Sequence, residues 1–122
     1  MQSEIFNTDL FKCRHCGEGS IDQLLIARLE LLVELSEVHI IITSGYRCPD
    51  HPMEAKKYVK GAHTKGLACD FQCSPEDEYK LLKTVLLIPF TGIGLHLKDT
   101  PKGRFFHVDI VDRSGRRVVW TY

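Results

Sequence analysis

Three side chains that suit a metal ion constrain the fold of this chain most strongly. Two of them, His63 and Asp70, stand seven residues apart in the run GAHTKGLACD, and the small residues between them allow the backbone to bend. The third, His107, follows in residues 105–109 (FFHVD). The three can meet only if the segment that carries Asp70 lies beside the segment that carries His107, which predicts two neighbouring strands.

The chemistry of these three groups predicts a zinc site. Imidazole nitrogens and carboxylate oxygens both bind Zn²⁺, and catalytic zinc typically has three protein ligands and one open position. We therefore predict a zinc site made of His63, Asp70 and His107. The alternative is that each histidine is an ordinary buried residue whose polar atoms are satisfied by hydrogen bonds. Residue types alone leave both interpretations open.

Length and composition limit the class of protein. The 122 residues predict a single domain, 1–122, and 43% hydrophobic and 26% charged residues are typical of a globular protein. Lys+Arg (16) balance Asp+Glu (16), and no basic stripe indicates a nucleic-acid partner. No run approaches the roughly 20 apolar residues of a membrane span, and the first residues do not form a secretory signal. We expect a monomer that is synthesised in the cytoplasm.

Five cysteines, an odd number, argue against a fold held together by disulfides. Cys13 and Cys16 form a CxxC pair in the N-terminal segment 1–19. Thiolates at this spacing can chelate one ion, which predicts half of a second, structural zinc site that Cys48 or Cys73 would complete. The alternative is that these cysteines are free or locally paired.

Local patterns predict two helices and five strands. Ser20 and Gln23 form a capping box, and apolar residues at helical spacing follow, which are Leu24, Leu25, Leu29, Leu32, Val33 and Leu35. Ser74 starts a second helix, whose expected core-facing residues are Tyr79, Leu82, Val85 and Leu86. Strands are expected at 38–43, 68–73, 91–97, 104–111 and 117–122. Residues 50–62 are predicted to be a polar excursion with one helical turn.

Strand alternation assigns further side chains to faces. Asp70 faces the opposite way to Cys69, whereas His107 and Asp109 share a face at about 7 Å from each other. Arg47 follows directly on the first strand. It is therefore placed to bind a carboxylate or a developing oxyanion, unless it is an ordinary solvated loop arginine.

Four segments, in this order, resemble the zinc D-alanyl-D-alanine carboxypeptidase family. They are 42–49 (ITSGYRCP), 62–70 (AHTKGLACD), 92–94 (GIG) and 106–109 (FHVD), and the similarity covers roughly residues 9–121. The family includes carboxypeptidases, dipeptidases and phage endolysins that cut L-alanyl-D-glutamate bonds, and the hedgehog signalling domain shares its fold. The resemblance implies an α+β fold in which a small antiparallel sheet has helices packed on one face.

The resemblance also implies site residues and a substrate. The implied zinc ligands are His63, Asp70 and His107. Arg47 is implied to contact a substrate carbonyl or carboxylate, with Ser44 and Tyr46 of the same segment as further substrate-binding residues. The implied reaction is hydrolysis of D-amino-acid-containing peptidoglycan peptides by metal-activated water. Such a protein acts on the cell wall if it is phage-encoded or released.

Two positions depart from the family's pattern. Gly61 stands where the signature has a serine. Arg104 stands three residues before the last histidine, where many members have the Glu or Asp that acts as general base, and arginine cannot accept a proton at neutral pH. The base must then be Asp109 or His96. Asp109 can instead fix the tautomer of His107.

Two other functions therefore stay open beside the zinc peptidase. One is a catalytically silent metal-binding module of the cell wall or virion with the same fold, which the departures at 61 and 104 favour. The other is a zinc-knuckle interaction protein centred on Cys13 and Cys16. Metal that survives the loss of His107 but not the loss of Cys13 would favour the knuckle protein.

Overall fold

The structure of the chain, a computed structural model, describes residues 5–57 and 61–122. Its elements are two 3-10 helices (Thr8–Phe11 and Pro75–Asp77), α1 (Gln23–Ser36), α2 (Pro52–Ala55), α3 (Glu78–Val85), β1 (Ile41–Ser44), β2 (Ala68–Gln72), β3 (Gly92–His96), β4 (Phe105–Asp109) and β5 (Val118–Thr121). The fold class is α+β, as predicted. α2 is the helical turn expected within 50–62, of which residues 58–60 lie outside the described part. None of the helices described here is long and apolar enough to cross a membrane.

The strands form one mixed sheet in the order β1-β2-β4-β3-β5. β1, β2, β4 and β3 pair antiparallel, but β5 runs parallel to β3, so the prediction of an antiparallel sheet is wrong at its last strand. β4 ends at Asp109, opposite Gly92 at the start of β3. The connection turns at Arg113–Arg116 and stays at that end of the sheet, so β5 also begins opposite Gly92.

The two faces of the central strands carry different chemistry. Cys69 and Phe71 of β2 and Phe106 of β4 are buried in the hydrophobic core, together with residues of α1 and α3. The alternate positions carry Asp70 and His107, which are direct partners in the β2–β4 ladder. The predicted alternation is therefore confirmed, and Cys69 points away from the polar face.

The first helix begins later than predicted. Its N-cap is Asp22 and not Ser20, because the Asp22 carboxylate accepts a hydrogen bond of 2.8 Å from the amide of Leu24. The capping-box prediction is therefore wrong. The buried stripe follows Leu25, Leu29 and Leu32. Two residues predicted to face the core lie beside this stripe and are exposed, which are Leu24 (50%) and Leu35 (58%).

The second predicted helix is split into a 3-10 turn and α3. Ser74 stands at the N-cap of the 3-10 turn, so the predicted start is correct. A 3-10 helix has 3.0 residues per turn instead of 3.6, which shifts the face that the following α-helix buries. Leu81 and Val85 are buried, whereas Tyr79 and Leu86, both predicted to face the core, are 78% and 46% exposed.

An irregularity in β1 brings the next loop to the polar face. Ile42 pairs with Phe71, but Ser44 pairs with Asp70, so β1 has one extra residue between these pairs. Such bulges bend a strand and re-aim the side chains that follow. The loop after β1 therefore begins beside Asp70.

Candidate metal centre

His63, Asp70 and His107 converge on one point of the polar face. One ligand atom from each lies within 4.8 Å of the other two. The Oδ1 atom of Asp70 is 3.3 Å from Nε2 of His63 and 3.0 Å from Nδ1 of His107. All three side chains are buried, and the imidazole rings meet edge to face at 5.3 Å. The sequence-predicted trio is thus brought together.

The outer nitrogen of each histidine is held by an acceptor. Nδ1 of His63 lies 2.8 Å from the carbonyl oxygen of Gly45, which can only accept a hydrogen bond. Nε2 of His107 lies 2.9 Å from Oδ2 of Asp109. Nδ1 of His63 therefore carries a proton, whereas His107 can donate from Nε2 to Asp109 or from Nδ1 to Asp70. In the tautomer that donates to Asp109, the lone pairs of both inner nitrogens point at Asp70.

In that tautomer three acceptor atoms face one another, and a cation between them would satisfy all three. Burial lowers the pKa of His107, but its hydrogen bonds with Asp109 and Asp70 outweigh burial and raise that pKa. Burial also raises the pKa of Asp70, yet its hydrogen bonds with His107 and His63 hold that pKa well below the usual range. The cluster therefore favours a cation, and two imidazoles with one carboxylate are a donor set that fits Zn²⁺.

Asp109 lies behind the His107 ring and is almost fully buried. Arg113 donates to both of its oxygens, at 2.6 Å to Oδ1 and 3.2 Å to Oδ2. The amide of Val111 and the hydroxyl of Thr91 also donate to Oδ1, at 3.2 and 3.3 Å. Burial raises the pKa of Asp109, but the hydrogen bonds from His107 and Arg113 lower it far more. Asp109 is therefore an ionised group whose acceptor positions are occupied.

Two glycines of β3 make room on the polar face. A Cβ at Gly92 would collide with the carboxylate of Asp109, and a Cβ at Gly94 would lie 2.7 Å from Nε1 of Trp120. The absence of these side chains lets the Trp120 ring lie 5.1 Å from the ring of His107. The two glycines of the Gly-Ile-Gly segment are therefore explained by the close packing of Asp109 and Trp120 against β3.

Arg47 is part of the same polar cluster. Its guanidinium donates to Oδ2 of Asp70 at 3.3 Å and to Glu54 at 3.5 Å, and its Nε donates to the hydroxyl of Ser44 at 3.1 Å. The side chain is 15% exposed. Arg47 is therefore a held cation beside the candidate ion position, and Ser44 shares the cavity wall with it.

Glu54 is a site residue that the sequence interpretation missed. It is fully buried, and it accepts hydrogen bonds from Lys57 (2.8 Å), the amide of Gly61 (2.9 Å) and the hydroxyl of Thr64 (3.0 Å). Burial raises its pKa, but these bonds outweigh burial and lower the pKa to about 2. These partners lie three to ten residues away along the chain at no regular spacing, so no local pattern distinguishes Glu54 from the solvated charges around it.

Tyr46 and His96 lie away from the trio. A Cβ at Gly19 would collide with the Tyr46 ring, which places that ring against the N-terminal segment. Nδ1 of His96 is 2.8 Å from the carbonyl oxygen of Gly103, and its ring stacks on Phe105 at 4.9 Å. Neither Tyr46 nor His96 is part of the cavity wall described below.

The two positions that depart from the family pattern have structural partners. Arg104 donates to both carboxylate oxygens of Glu78 at 2.7 Å, and so points away from His107. Gly61 donates its amide to Glu54. A Cβ at Gly61 would lie 3.4 Å from that carboxylate and 3.3 Å from Nζ of Lys57.

A cavity of about 690 Å³ opens onto the trio. Its wall includes four cationic side chains, which are Arg47, Lys57, Lys102 and Arg113, and several large apolar or aromatic ones, which are Met53, Phe105, Trp120 and Tyr122. Among the described residues, the carboxylates of the wall are Asp70 and Asp109. Arg47, Lys57 and Arg113 are each paired with a carboxylate of Asp70, Glu54 or Asp109, so the wall keeps a small positive excess that suits a ligand with negative charge.

Three of the five cysteines form a second group that can hold a metal. The Sγ atoms of Cys13, Cys16 and Cys48 lie within 4.8 Å of one another. Burial raises the pKa of the Cys13 thiol, but hydrogen bonds from backbone amides, first that of Cys48, lower it to about 6. Cys69 is in the core and Cys73 directly follows β2, and neither is part of this group, so Cys48 and not Cys73 joins the CxxC pair.

The comparison with protein families decides the family. A family model described as Peptidase M15 matches residues 4–109. The chain belongs to the Peptidase M15 family. The resemblance to zinc D-alanyl-D-alanine carboxypeptidases and endopeptidases is thereby confirmed. No curated protein and no solved structure matches the chain.

Membership of Peptidase M15 bears directly on the trio. The family is zinc-dependent, and the His63, Asp70 and His107 group can hold such an ion. The match ends at Asp109, the residue behind His107, so β5 and its Trp120 lie beyond it.

Proposed function

We propose that this Peptidase M15 member is a zinc peptidase that hydrolyses peptidoglycan peptides containing D-amino acids. The observation that supports it most is the convergence of two inner imidazole nitrogens on one oxygen of Asp70. His63, Asp70 and His107 would hold the ion. When bound, Zn²⁺ supplies Lewis acidity, which lowers the pKa of water toward ~7 and polarises an amide carbonyl.

We assign Arg47 to the negative charge that hydrolysis creates or that the substrate carries. Its guanidinium sits beside the trio and is fixed on three sides by Asp70, Glu54 and Ser44. A cation held in advance stabilises an oxyanion without further reorganisation. The same fork can also hold a terminal carboxylate of the peptide.

The charge of the cavity wall supports an acidic peptide as substrate. Lys102 and Arg113 stand on the same cavity wall as Arg47, although Arg113 is paired with Asp109. Peptidoglycan stem peptides carry several free carboxylates and small side chains. Trp120 and Tyr122 offer apolar surface against which such a chain can pack.

We assign Asp109 as a positioning residue and not as the general base. Its oxygens are occupied by His107 and Arg113, and it lies on the far side of the His107 ring from Asp70. Acceptors in this position fix the tautomer of a metal-binding histidine. His96 is assigned to the packing of Phe105 and not to proton transfer, because its ring lies outside the cavity wall.

The proposed substrate lies in the cell wall. We therefore propose that the protein acts there after release, as a phage or lysis protein would.

Digestion of defined muropeptides by the purified chain tests the proposal. We expect product formation that a chelator abolishes and that added Zn²⁺ restores. His63→Ala should abolish it, whereas His39→Ala, which removes an exposed histidine before β1, should not. Mass spectrometry of the products separates a carboxypeptidase, which releases free D-alanine, from an endopeptidase, which cuts the L-alanyl-D-glutamate bond.

A folded chain that binds zinc at the trio but cuts none of these peptides would refute the proposed peptidase activity. That result would instead support the catalytically silent metal-binding module.

A further inference from the structure

A second cluster of metal-binding side chains lies outside the trio, where two distant segments meet. Cys13 and Cys16 lie in the turn after the 3-10 helix Thr8–Phe11, and Cys48 lies in the loop after β1. Their Sγ atoms are within 4.8 Å of one another, and all five cysteines of the chain are free thiols. Three thiols this close are either ligands of one ion or partners for a disulfide with one thiol left over.

The backbone of the turn is shaped to hold a thiolate. Gly17 has φ +75°, and its amide donates to the carbonyl oxygen of Cys13 at 2.8 Å, which closes the turn. The amides of His15 and Cys48 donate to Sγ of Cys13 at 3.4 and 3.3 Å. Amides aimed at sulfur stabilise negative charge on it, and Cys13 receives them from both segments.

The sequence around Cys48 supplies a fourth candidate ligand. His51 stands three residues after Cys48, so the four residues have the spacing C-x₂-C…C-x₂-H that is typical of structural zinc sites. The amide of His51 donates to the carbonyl oxygen of Cys48 at 3.0 Å. Nδ1 of His51 accepts from the amide of Met53 at 3.0 Å, and His51 is not among the groups that lie within 4.8 Å of one another. Its ring would therefore have to leave this bond and turn toward the thiols to bind the ion.

An ion at this cluster would fix the loop that supports the trio. The amide of Tyr46 donates to the carbonyl oxygen of Phe11, and a Cβ at Gly45 would lie 2.8 Å from the Cα atom of Phe11. The N-terminal segment therefore already packs on the residues that present the Gly45 carbonyl to His63. A link from Cys13 to Cys48 would hold Arg47 in place as well.

We infer that Cys13, Cys16, Cys48 and His51 bind a structural Zn²⁺ that joins the N-terminal segment to the loop after β1. This site is independent of the proposed peptidase activity. It stands whether or not the trio binds an ion.

Metal content and metal spectroscopy of the purified, reduced full chain test the inference. We expect wild type to hold about one zinc ion per chain more than Cys16→Ser, which replaces an exposed thiol, whether or not the trio is also loaded. Cys73→Ser is the matched control and should keep the wild-type content. X-ray absorption at the zinc edge should show Zn–S distances of about 2.3 Å in wild type and in His107→Ala, but not in Cys16→Ser. Cobalt substitution should give thiolate-to-metal absorption bands in wild type and in His107→Ala, but not in Cys16→Ser.

The fourth ligand is tested with His51 and His15, which stand beside these cysteines in the sequence and whose ring centroids are 6.1 Å apart. His51→Ala should weaken zinc retention against a chelator, and His15→Ala should not. The reverse result would overturn the assignment of His51. Zinc without sulfur ligands, or a disulfide among Cys13, Cys16 and Cys48 in the isolated protein, would overturn the site itself.

Discussion

The two faces of the strand pair β2–β4 differ in what holds them together. One face carries Phe71 and Phe106, whose rings stack at 5.5 Å inside a core that excludes water. The other face carries Asp70 and His107, held by hydrogen bonds and opposite charges. Of two residues that are neighbours in the chain, one therefore packs in the core and the other belongs to the polar site. A substitution on the core face should therefore change the stability of the fold, and a substitution one position away on the polar face should change the chemistry of the site.

The largest expected effect is on the polar face. His107→Ala removes one of three proposed ligands, so zinc at the trio should be lost and muropeptide hydrolysis should fall by at least about 10³-fold. Product formation at saturating zinc measures the loss, and circular dichroism checks that the chain stays folded. Activity within tenfold of wild type would show that His107 is not a ligand.

On the core face, Phe71→Ala should destabilise the fold by about 3–5 kcal/mol, because it leaves a cavity in a buried ring stack. The zinc affinity of the folded fraction should stay the same, although Asp70 is the next residue. Urea unfolding gives the stability. Tyr79→Ala is the control, since it removes an aromatic ring that is 78% exposed, and it should change stability by no more than about 0.5 kcal/mol. Equal losses in both variants would contradict the comparison.

Lowering the pH should lower the free energy of unfolding, because Glu54, on the polar side of the molecule, becomes protonated. Its pKa is about 2 in the folded chain against an ordinary 4.5. Because folding depresses this pKa, ionised Glu54 stabilises the fold at every pH above the ordinary pKa. This stabilisation, roughly 2–3 kcal/mol, is lost as the pH falls from about 4.5 toward about 2. Urea unfolding of wild type and Glu54→Gln along this range measures it. The difference between the two proteins should shrink on acidification; a constant difference would count against the Glu54 network.

Asp109→Asn should lower zinc affinity about 10- to 100-fold, because the acceptor behind His107 loses its charge. Excess zinc should restore most of the activity if Asp109 only positions His107. The readout is therefore hydrolysis against zinc concentration, with the exposed Asp112→Asn as control. Activity that stays lost at saturating zinc would make Asp109 the general base.

The smallest effect is expected at Arg104. Its ion pair with Glu78 is partly exposed, with Arg104 at 29%, so Arg104→Ala should cost at most about 1 kcal/mol of stability. Hydrolysis should be unchanged, because the side chain points away from His107. A large fall in activity would place Arg104 at the site after all.

The sequence predicted the parts of the site that depend on local pattern. Alternation with period two put Asp70 opposite in direction to Cys69, and the β3–β4 hairpin was expected from its strands and connection. The trio itself was predicted from residue type. The start of α1 was missed, because Ser20 and Asp22 both suit an N-cap and only the observed hydrogen bond distinguishes them.

Residue chemistry and backbone geometry are enough to predict which groups can bind a metal and which face of a strand they share. The partners of those groups depend on how the chain folds. Asp109 has its oxygens occupied by Arg113, Glu54 joins Arg47 to the loop before His63, and Cys48 completes the CxxC pair. The Cys48 contacts join segments that meet only when the chain is folded. Even the pair Asp109–Arg113, four residues apart, is one of many pairings of charges and thiols that are equally compatible with the local pattern.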